Sequence, residues 1–193
     1  MIQIPCVIFA GGKSSRLGKN KALLPFGGSP TMIEFQYKRL QKIFKHIYIS
    51  CKNQDFFHFQ ADFIEDTFDE HYAPTIGFLS AFDTLGTESL FAISVDTPFI
   101  TMQEISTLVA NDASEYDAVI AKTAQTIHPM CGIYHKSLYA KFQKMFQTDD
   151  HRLRKLLLQS HTKYIDFEDE QTFFNINTMQ EYEIALQHYK QIN

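Results

Sequence analysis

An apolar run, Ile4-Pro5-Cys6-Val7-Ile8-Phe9, breaks without transition into Ala10-Gly11-Gly12-Lys13-Ser14-Ser15-Arg16-Leu17-Gly18-Lys19-Asn20-Lys21-Ala22-Leu23-Leu24, and this junction constrains the chain more than any other stretch. The run reads as a buried strand. A glycine-rich loop bearing several cations follows at its carboxyl end, where open α/β sheets place their ligands. Glycines let backbone N–H groups approach anionic oxygens with no side chain between them. Arg16, Lys19 and Lys21 can then neutralise charge developing on a reacting phosphate. The spacing is neither that of a P-loop nor that of a dinucleotide fingerprint. A polar turn with solvated charges has the same composition; only the position after a strand favours the phosphate reading.

The rest of the chain alternates strands and helices. Strands are expected at Ile47–Cys51, Phe63–Ile64, Leu90–Val95, Ala118–Ala121, around Ile133–Tyr134 and at Tyr164–Phe167. Ser29-Pro30 reads as an N-cap with proline at the first helical position, opening a helix that carries Ile33, Tyr37, Leu40 and Phe44 on one face. Phe78, Phe82 and Leu85 face one side of a second helix, and two more are expected around Leu138–Phe146 and Arg152–Leu158. Thr101-Met102-Gln103-Glu104 and Thr178-Met179-Gln180-Glu181 are capping boxes that start two others. Alternation with uninterrupted apolar strands predicts an α/β fold, a doubly wound and mostly parallel sheet with helices on both faces, in which the strand at Ile133–Tyr134 closes the sheet antiparallel. With 193 residues, no repeat and no linker, one domain over 1–193 is expected.

Charge is distributed unevenly. Residues 1–45 hold eight Lys or Arg against Glu34 alone, and 53–121 hold no Lys or Arg at all. A nucleic-acid binder would carry a broader basic face with interleaved aromatics. A small polyanion at a cationic loop, bridged by a metal to acids further along, fits better. No run is long and apolar enough to span a bilayer, and the N-terminus lacks a signal-peptide pattern. Cys6, Cys51 and Cys131 are odd in number, widely spaced and without C-x-x-C, which fits a reducing cytoplasm. The histidines show no zinc-binding pairing, and His128, ahead of Pro129, reads as structural.

Asp96 ends the most hydrophobic strand and precedes Thr97-Pro98. A carboxylate there commonly holds a divalent cation, and Mg²⁺ prefers one or two carboxylates plus phosphate oxygens and water. Beginning a turn before Pro98 is the plainer role. Lys21 starts a short helix through Leu24 and is a mobile point charge able to reach phosphates. Asn175 and Asn177 flank Ile176 in an extended segment and so point the same way. Arg152, Arg154 and Lys155 form either a patch for an anionic acceptor or a solvated helix face.

Gly11–Leu24 matches the nucleotidylyltransferase signature G-G-x-S-x-R-[ML]-G-x-x-K-x-L-L, and further patches follow in family order: Glu65-Asp66, Ala73-Pro74-Thr75-Ile76-Gly77, Val95-Asp96-Thr97-Pro98-Phe99, His128–Tyr134 and Asn175-Ile176-Asn177-Thr178. With two consecutive glycines in a chain this short, the sequence resembles the molybdenum cofactor guanylyltransferases, the MobA type of that family. The resemblance implies a Rossmann-like nucleotidylyltransferase fold and transfer of GMP from GTP to the phosphate of molybdenum-molybdopterin, with Mg²⁺ as cofactor. It implies catalytic roles for Arg16, Lys21 and Asp96, with Asp96 on the metal. It places GTP against Phe9, Ala10, Gly11, Gly12, Lys21, Ser50, Asp66 and Asp96, and the acceptor against Asn175, Asn177 and Arg152. Recipient molybdoenzymes or cofactor-insertion chaperones are the implied protein partners; nucleic acid and membrane are not. Ser50 stands where the family often has Asn, and Ala73 replaces a family glycine. CTP as donor, a sugar or polyol phosphate as acceptor, and a non-catalytic nucleotide-binding module stay open as alternatives.

Overall fold

A computed structural model describes residues 1–11, 20–66 and 74–192. Its strands are β1 (Cys6–Phe9), β2 (Ile47–Cys51), β3 (Asp62–Glu65), β4 (Ser89–Ser94), β5 (Ala118–Lys122), β6 (Ile127–His135) and β7 (Thr162–Asp166). The helices are α1 (Met32–Leu40), α2 (Pro74–Leu85), α3 (Met102–Ala110), α4 (Tyr139–Gln147), α5 (Leu153–Leu158) and α6 (Met179–Ile192). The strands form one seven-stranded sheet in the order β3-β2-β1-β4-β6-β5-β7. All pairings are parallel except those of β6, which runs antiparallel to both β4 and β5. The antiparallel strand is therefore interior and does not close the sheet. β7 does that, as a parallel edge beside β5.

Side chains alternate across the sheet, as the pleat requires. Cys6 and Ile8 of β1, Phe91 and Ile93 of β4, and Val119 and Ala121 of β5 face a core shared with α1, α3 and α6. Val7, Phe9, Leu90, Ala92, Ala118 and Ile120 face the opposite core, built with α2, α4 and α5. Both faces are covered, which explains why these strands are apolar without interruption.

Both capping boxes form. The Thr101 hydroxyl and Glu104 carboxylate exchange bonds with each other's backbone, and Glu181 Oε2 accepts from Thr178 N at 2.8 Å while Thr178 Oγ1 accepts from Glu181 N at 3.2 Å. The start of α1 differs from expectation: Thr31, not Ser29, is its N-cap, accepting from Glu34 N at 3.2 Å. Gly27 and Gly28 have φ of 57° and 78°, and Phe26 and Ser29 exchange backbone bonds of 3.2 and 2.8 Å across them. That tight turn needs two left-handed residues, and it keeps Ser29 out of the helix. Among the described residues no helix is long and apolar enough to cross a membrane.

Candidate functional site

Strand register brings the chemistry to one edge. Phe9 is level with Ser50 and Ser94, and Ser50 with Ile64, so β1–β4 end together. Just beyond, Ala10 N donates to Ser50 O, Asp66 N to Cys51 O and Val95 N to Phe9 O, carrying the ladder one residue further before the chains turn away. Because β6 is antiparallel, its amino end at Ile127 meets the carboxyl end of β5 at Lys122, which is level with Asp166 of β7. One rim thus collects Gly11, Asp66, Asp96 and the loops from the second half.

Lys21 lies in a single 3₁₀ turn, Lys21–Leu23, which Asn20 caps by accepting from Ala22 N at 3.1 Å. Its ammonium pairs with Asp96 Oδ2 and stands 3.4 Å from Asn177 Oδ1. The same linkage is made through the backbone, where Ile176 N donates to Asp96 O at 3.0 Å. Glu181 Oε2 accepts from Asn177 N at 2.8 Å, fixing the asparagine's main chain on the start of α6. Burial raises the Glu181 pKa, but the bonds from Asn177 and Thr178 and the nearby Lys21 charge outweigh it and leave the carboxyl below its usual value. Tyr182, one residue on, donates its hydroxyl to Pro25 O, tying the outgoing leg of the cationic loop to the same helix.

Asp96 has a side chain only 6% exposed, and its Oδ1 is buried with no hydrogen-bond partner among the described residues. A buried carboxylate oxygen left so is costly unless something cationic meets it. No group of three or more His, Cys, Asp or Glu gathers among the described residues, so these residues alone offer no cage. One carboxylate fits a divalent cation whose other ligands are phosphate and water oxygens.

Asp66 is the second carboxylate of the rim. Burial pushes its pKa up to about 6, while the Lys52 charge and the Ser50 hydroxyl pull it back only in part. Its Oδ1 too is buried and unpartnered among the described residues. Gly11 is exposed beside it, and a Cβ there would lie 3.9 Å from Asp66 Oδ2. The glycine is not demanded by packing; it leaves open space over the carboxylate. Gly77, by contrast, is demanded: a Cβ would come within 2.7 Å of Ser50 Oγ and 2.9 Å of Phe9 Cε1. Phe9 gives its ring to Phe78 at 4.7 Å and its carbonyl to Val95, so it shapes the site from below. Ala10 and Ser50 are likewise buried.

The structure therefore brings together Lys21, Asp96 and Asn177, and separately Gly11, Ser50 and Asp66. Gly12 and Arg16, expected beside the phosphates, lie outside the described residues, as does Ala73. Asn175 is exposed two residues before Asn177. Arg152 is paired with an acid two residues before it. Its fork is occupied by Asp150, with Nε–Oδ1 2.7 Å and Nη2–Oδ2 2.8 Å, and Arg152 and Lys155 hold the Asp150 carboxyl well below its usual range. His151, its neighbour, reaches Thr75 Oγ1 at 2.5 Å, so this connection is anchored to the start of α2. Arg154 is the cation that meets the second-half loops, donating to Thr126 Oγ1 at 3.1 Å. His128 is structural as expected, stacked 4.5 Å from Phe173 and bonded to Thr123. Glu181 was visible only as a cap, and nothing in the motifs marks Gln36, a buried amide in the apolar stripe of α1.

Residues 6–163 match the MobA-like NTP transferase domain. A molybdenum cofactor guanylyltransferase of Campylobacter jejuni is 34% identical over 182 residues, 94% of each chain. One from Helicobacter pylori is also 34% identical, over 97% of this chain and 90% of its own. Among solved structures, molybdopterin-guanine dinucleotide biosynthesis protein A of Archaeoglobus fulgidus superposes with a TM-score of 0.83 at 19% identity, covering 97% of this chain and all of that one.

Proposed function

The chain belongs to the MobA-like NTP transferase family, and on that premise we propose that it transfers GMP from GTP to the terminal phosphate of molybdopterin, carrying molybdenum. An acceptor phosphate oxygen bonds to the α-phosphorus, the α–β bridging P–O bond breaks, and its electron pair leaves with pyrophosphate. The single observation that supports this best is Lys21 standing between Asp96 and Asn177 on the rim.

The acceptor phosphate is an anion at neutral pH and needs no strong base, so positioning and charge neutralisation carry the reaction. Asp96 is the residue to hold a divalent cation, Mg²⁺, and Lys21 the residue to follow charge onto the leaving pyrophosphate. A divalent cation held by Asp96 would supply charge neutralisation at the phosphates. Arg16 is assigned to the same phosphates by its place in the family signature. On the other side of the donor, Asp66 offers acceptors for guanine N1–H and N2–H₂ in the space that Gly11 leaves clear. Asn177 faces the acceptor, with Asn175 beside it and Arg154 across the rim. The transfer takes place within one domain in the cytoplasm, with molybdoenzymes or insertion chaperones as recipients.

The test is pyrophosphate release with GTP, CTP and ATP, each with and without molybdopterin. Release with GTP only when molybdopterin is present supports the whole reading. Equal use of CTP sinks the guanine assignment, and no release with any nucleotide leaves a binding module. Gly11→Ala sharpens the base assignment: its methyl enters the space over Asp66 and should narrow the preference for GTP over CTP.

A further inference from the structure

Beyond Val95 the chain leaves the sheet, yet the carbonyls of Ser94, Val95 and Thr97 turn inward. Buried carbonyls need a donor. One side-chain amide supplies it to all three: Gln36 Nε2 lies 3.3 Å from Ser94 O, 3.1 Å from Val95 O and 3.1 Å from Thr97 O. Gln36 is fully buried in a stripe otherwise made of Met32, Ile33 and Leu40. The amide can be oriented in only one way. Arg39, one turn later, donates from Nε to Gln36 Oε1 at 2.5 Å, and arginine has no acceptor to offer. Oε1 must therefore face Arg39, which leaves the NH₂ for the carbonyls. Arg39 Nη1 donates in turn to Ile100 O. Two side chains of α1 thus pin the backbone of the Asp96 loop at residues 94, 95, 97 and 100, while Ile176 N holds the carbonyl of Asp96 itself.

An apolar residue at 36 would fill the helix stripe without leaving a polar network to satisfy, and partly satisfied networks cost more than apolar cores. The network is placed where the loop needs a fixed direction for one carboxylate. We propose that Gln36, with Arg39 orienting it, is a positioning residue that aims the Asp96 carboxylate at its divalent cation. This rests on the reading of Asp96 as the cation's ligand. Groups that orient a ligand from behind typically change metal affinity 10–100-fold when removed. The Gln36 amide group meets only backbone carbonyls on the Asp96 side and Arg39 on its own helix, so its removal should act on the cation and leave the base and acceptor contacts alone.

The cleanest variant is Gln36→Glu, assayed at about pH 8. The carboxylate keeps the size and the acceptor for Arg39 but has no proton to give the three carbonyls. Mn²⁺ binding to the protein with GTP present, followed by the EPR signal of free Mn²⁺, reads cation affinity without turnover. GTP binding in chelator and the melting temperature are measured beside it. Gln36→Glu should weaken Mn²⁺ about tenfold or more, with GTP affinity in chelator changed less than about threefold. Arg39→Lys, which cannot hold the amide with the same fork, should give a smaller loss in the same direction. A lowered melting temperature with unchanged Mn²⁺ affinity in both variants overturns the proposal, because the network would then be only structural. Asp96→Asn is the control. If it loses Mn²⁺ and the Gln36 and Arg39 variants do not, the positioning role alone fails; if it also keeps Mn²⁺, the reading of Asp96 fails and the proposal with it. Should Gln36→Glu not fold, Arg39→Lys decides by the same criterion.

Discussion

The two halves of the rim are built by different rules. On the β1–β4 side, parallel strands end in register, and the ends of β1, β3 and β4 deliver Gly11, Asp66 and Asp96. Both carboxylates there keep a buried oxygen without a partner among the described residues. On the β5–β7 side the polar groups are largely occupied by one another. Arg154 is bonded to Thr126, Arg152 to Asp150, and the backbone of Asn177 to Glu181. The first side holds unmet acceptors awaiting hydrogen-bond donors or cations; the second is a framework that presents a few side chains. Sites prepared for charge can be recognised by what is left unsatisfied, and sites prepared for shape cannot.

The sharpest way to break this contrast is Asp96→Asn. Turnover should fall by at least about 100-fold, the scale of losing one preorganised electrostatic contact, with the circular dichroism spectrum unchanged. Near-normal rate at saturating Mg²⁺ would remove Asp96 from the chemistry. Lys21→Ala comes next, because the Lys21 ammonium touches both sides. One charge-assisted contact is worth roughly 1.5–3 kcal/mol, so a loss of about tenfold or more in kcat is expected, with binding of unphosphorylated guanosine unaffected.

Asn177→Ala tests the division itself. Transfer to molybdopterin should weaken while GTP affinity stays within about threefold, less than roughly 1 kcal/mol. Isothermal titration beside the transfer assay separates the two, and a parallel loss of both would assign Asn177 to the donor. Arg154→Ala should lower transfer and Arg152→Ala should not; the reverse result would return Arg152 to the acceptor. The smallest effect is thermodynamic. Asp66 holds its proton up to about 6 when folded, against an ordinary value of 3.8. The folded state then binds more protons than the unfolded one, so this group's contribution to stability declines as pH rises from about 4 to about 6 and stays lost above. Asp66→Asn should melt higher than wild type at pH 7.5 and equally at pH 4. A constant difference across that range would refute the raised pKa.

Much of the β1–β4 rim was legible in the sequence because its pattern is local. A strand end, a glycine and a charge sit within a few residues of one another, and alternation predicts which edge they share. The antiparallel β6 was legible as well, but not its interior place, since strand order depends on pairings between distant segments. The Ser29 cap was misread because the left-handed Gly27-Gly28 turn closes on Ser29, whose backbone groups are bonded to Phe26. Arg152 and Arg154 look alike in sequence; what parts them is that Asp150 folds back on the first. Gln36 gave one sign only, a polar residue on an apolar face, and such a sign has no meaning until the carbonyls it meets are in place.

The contact between Lys21 and Asn177 joins residues 156 positions apart, and Tyr182 reaches Pro25 across 157. Both are encounters between segments made far apart in time. At roughly 5–20 residues per second, the cationic loop emerges on the order of ten to thirty seconds before the segment that completes it. β1, which sits between β2 and β4, must also wait for the latter. A ribosome product that stops short of residue 175 carries both carboxylates and every donor-side strand, yet has no acceptor side and no Tyr182 to steady the loop. Birth order thus delays the site, since the contacts to Lys21 and Pro25 form only once the chain has passed residue 182.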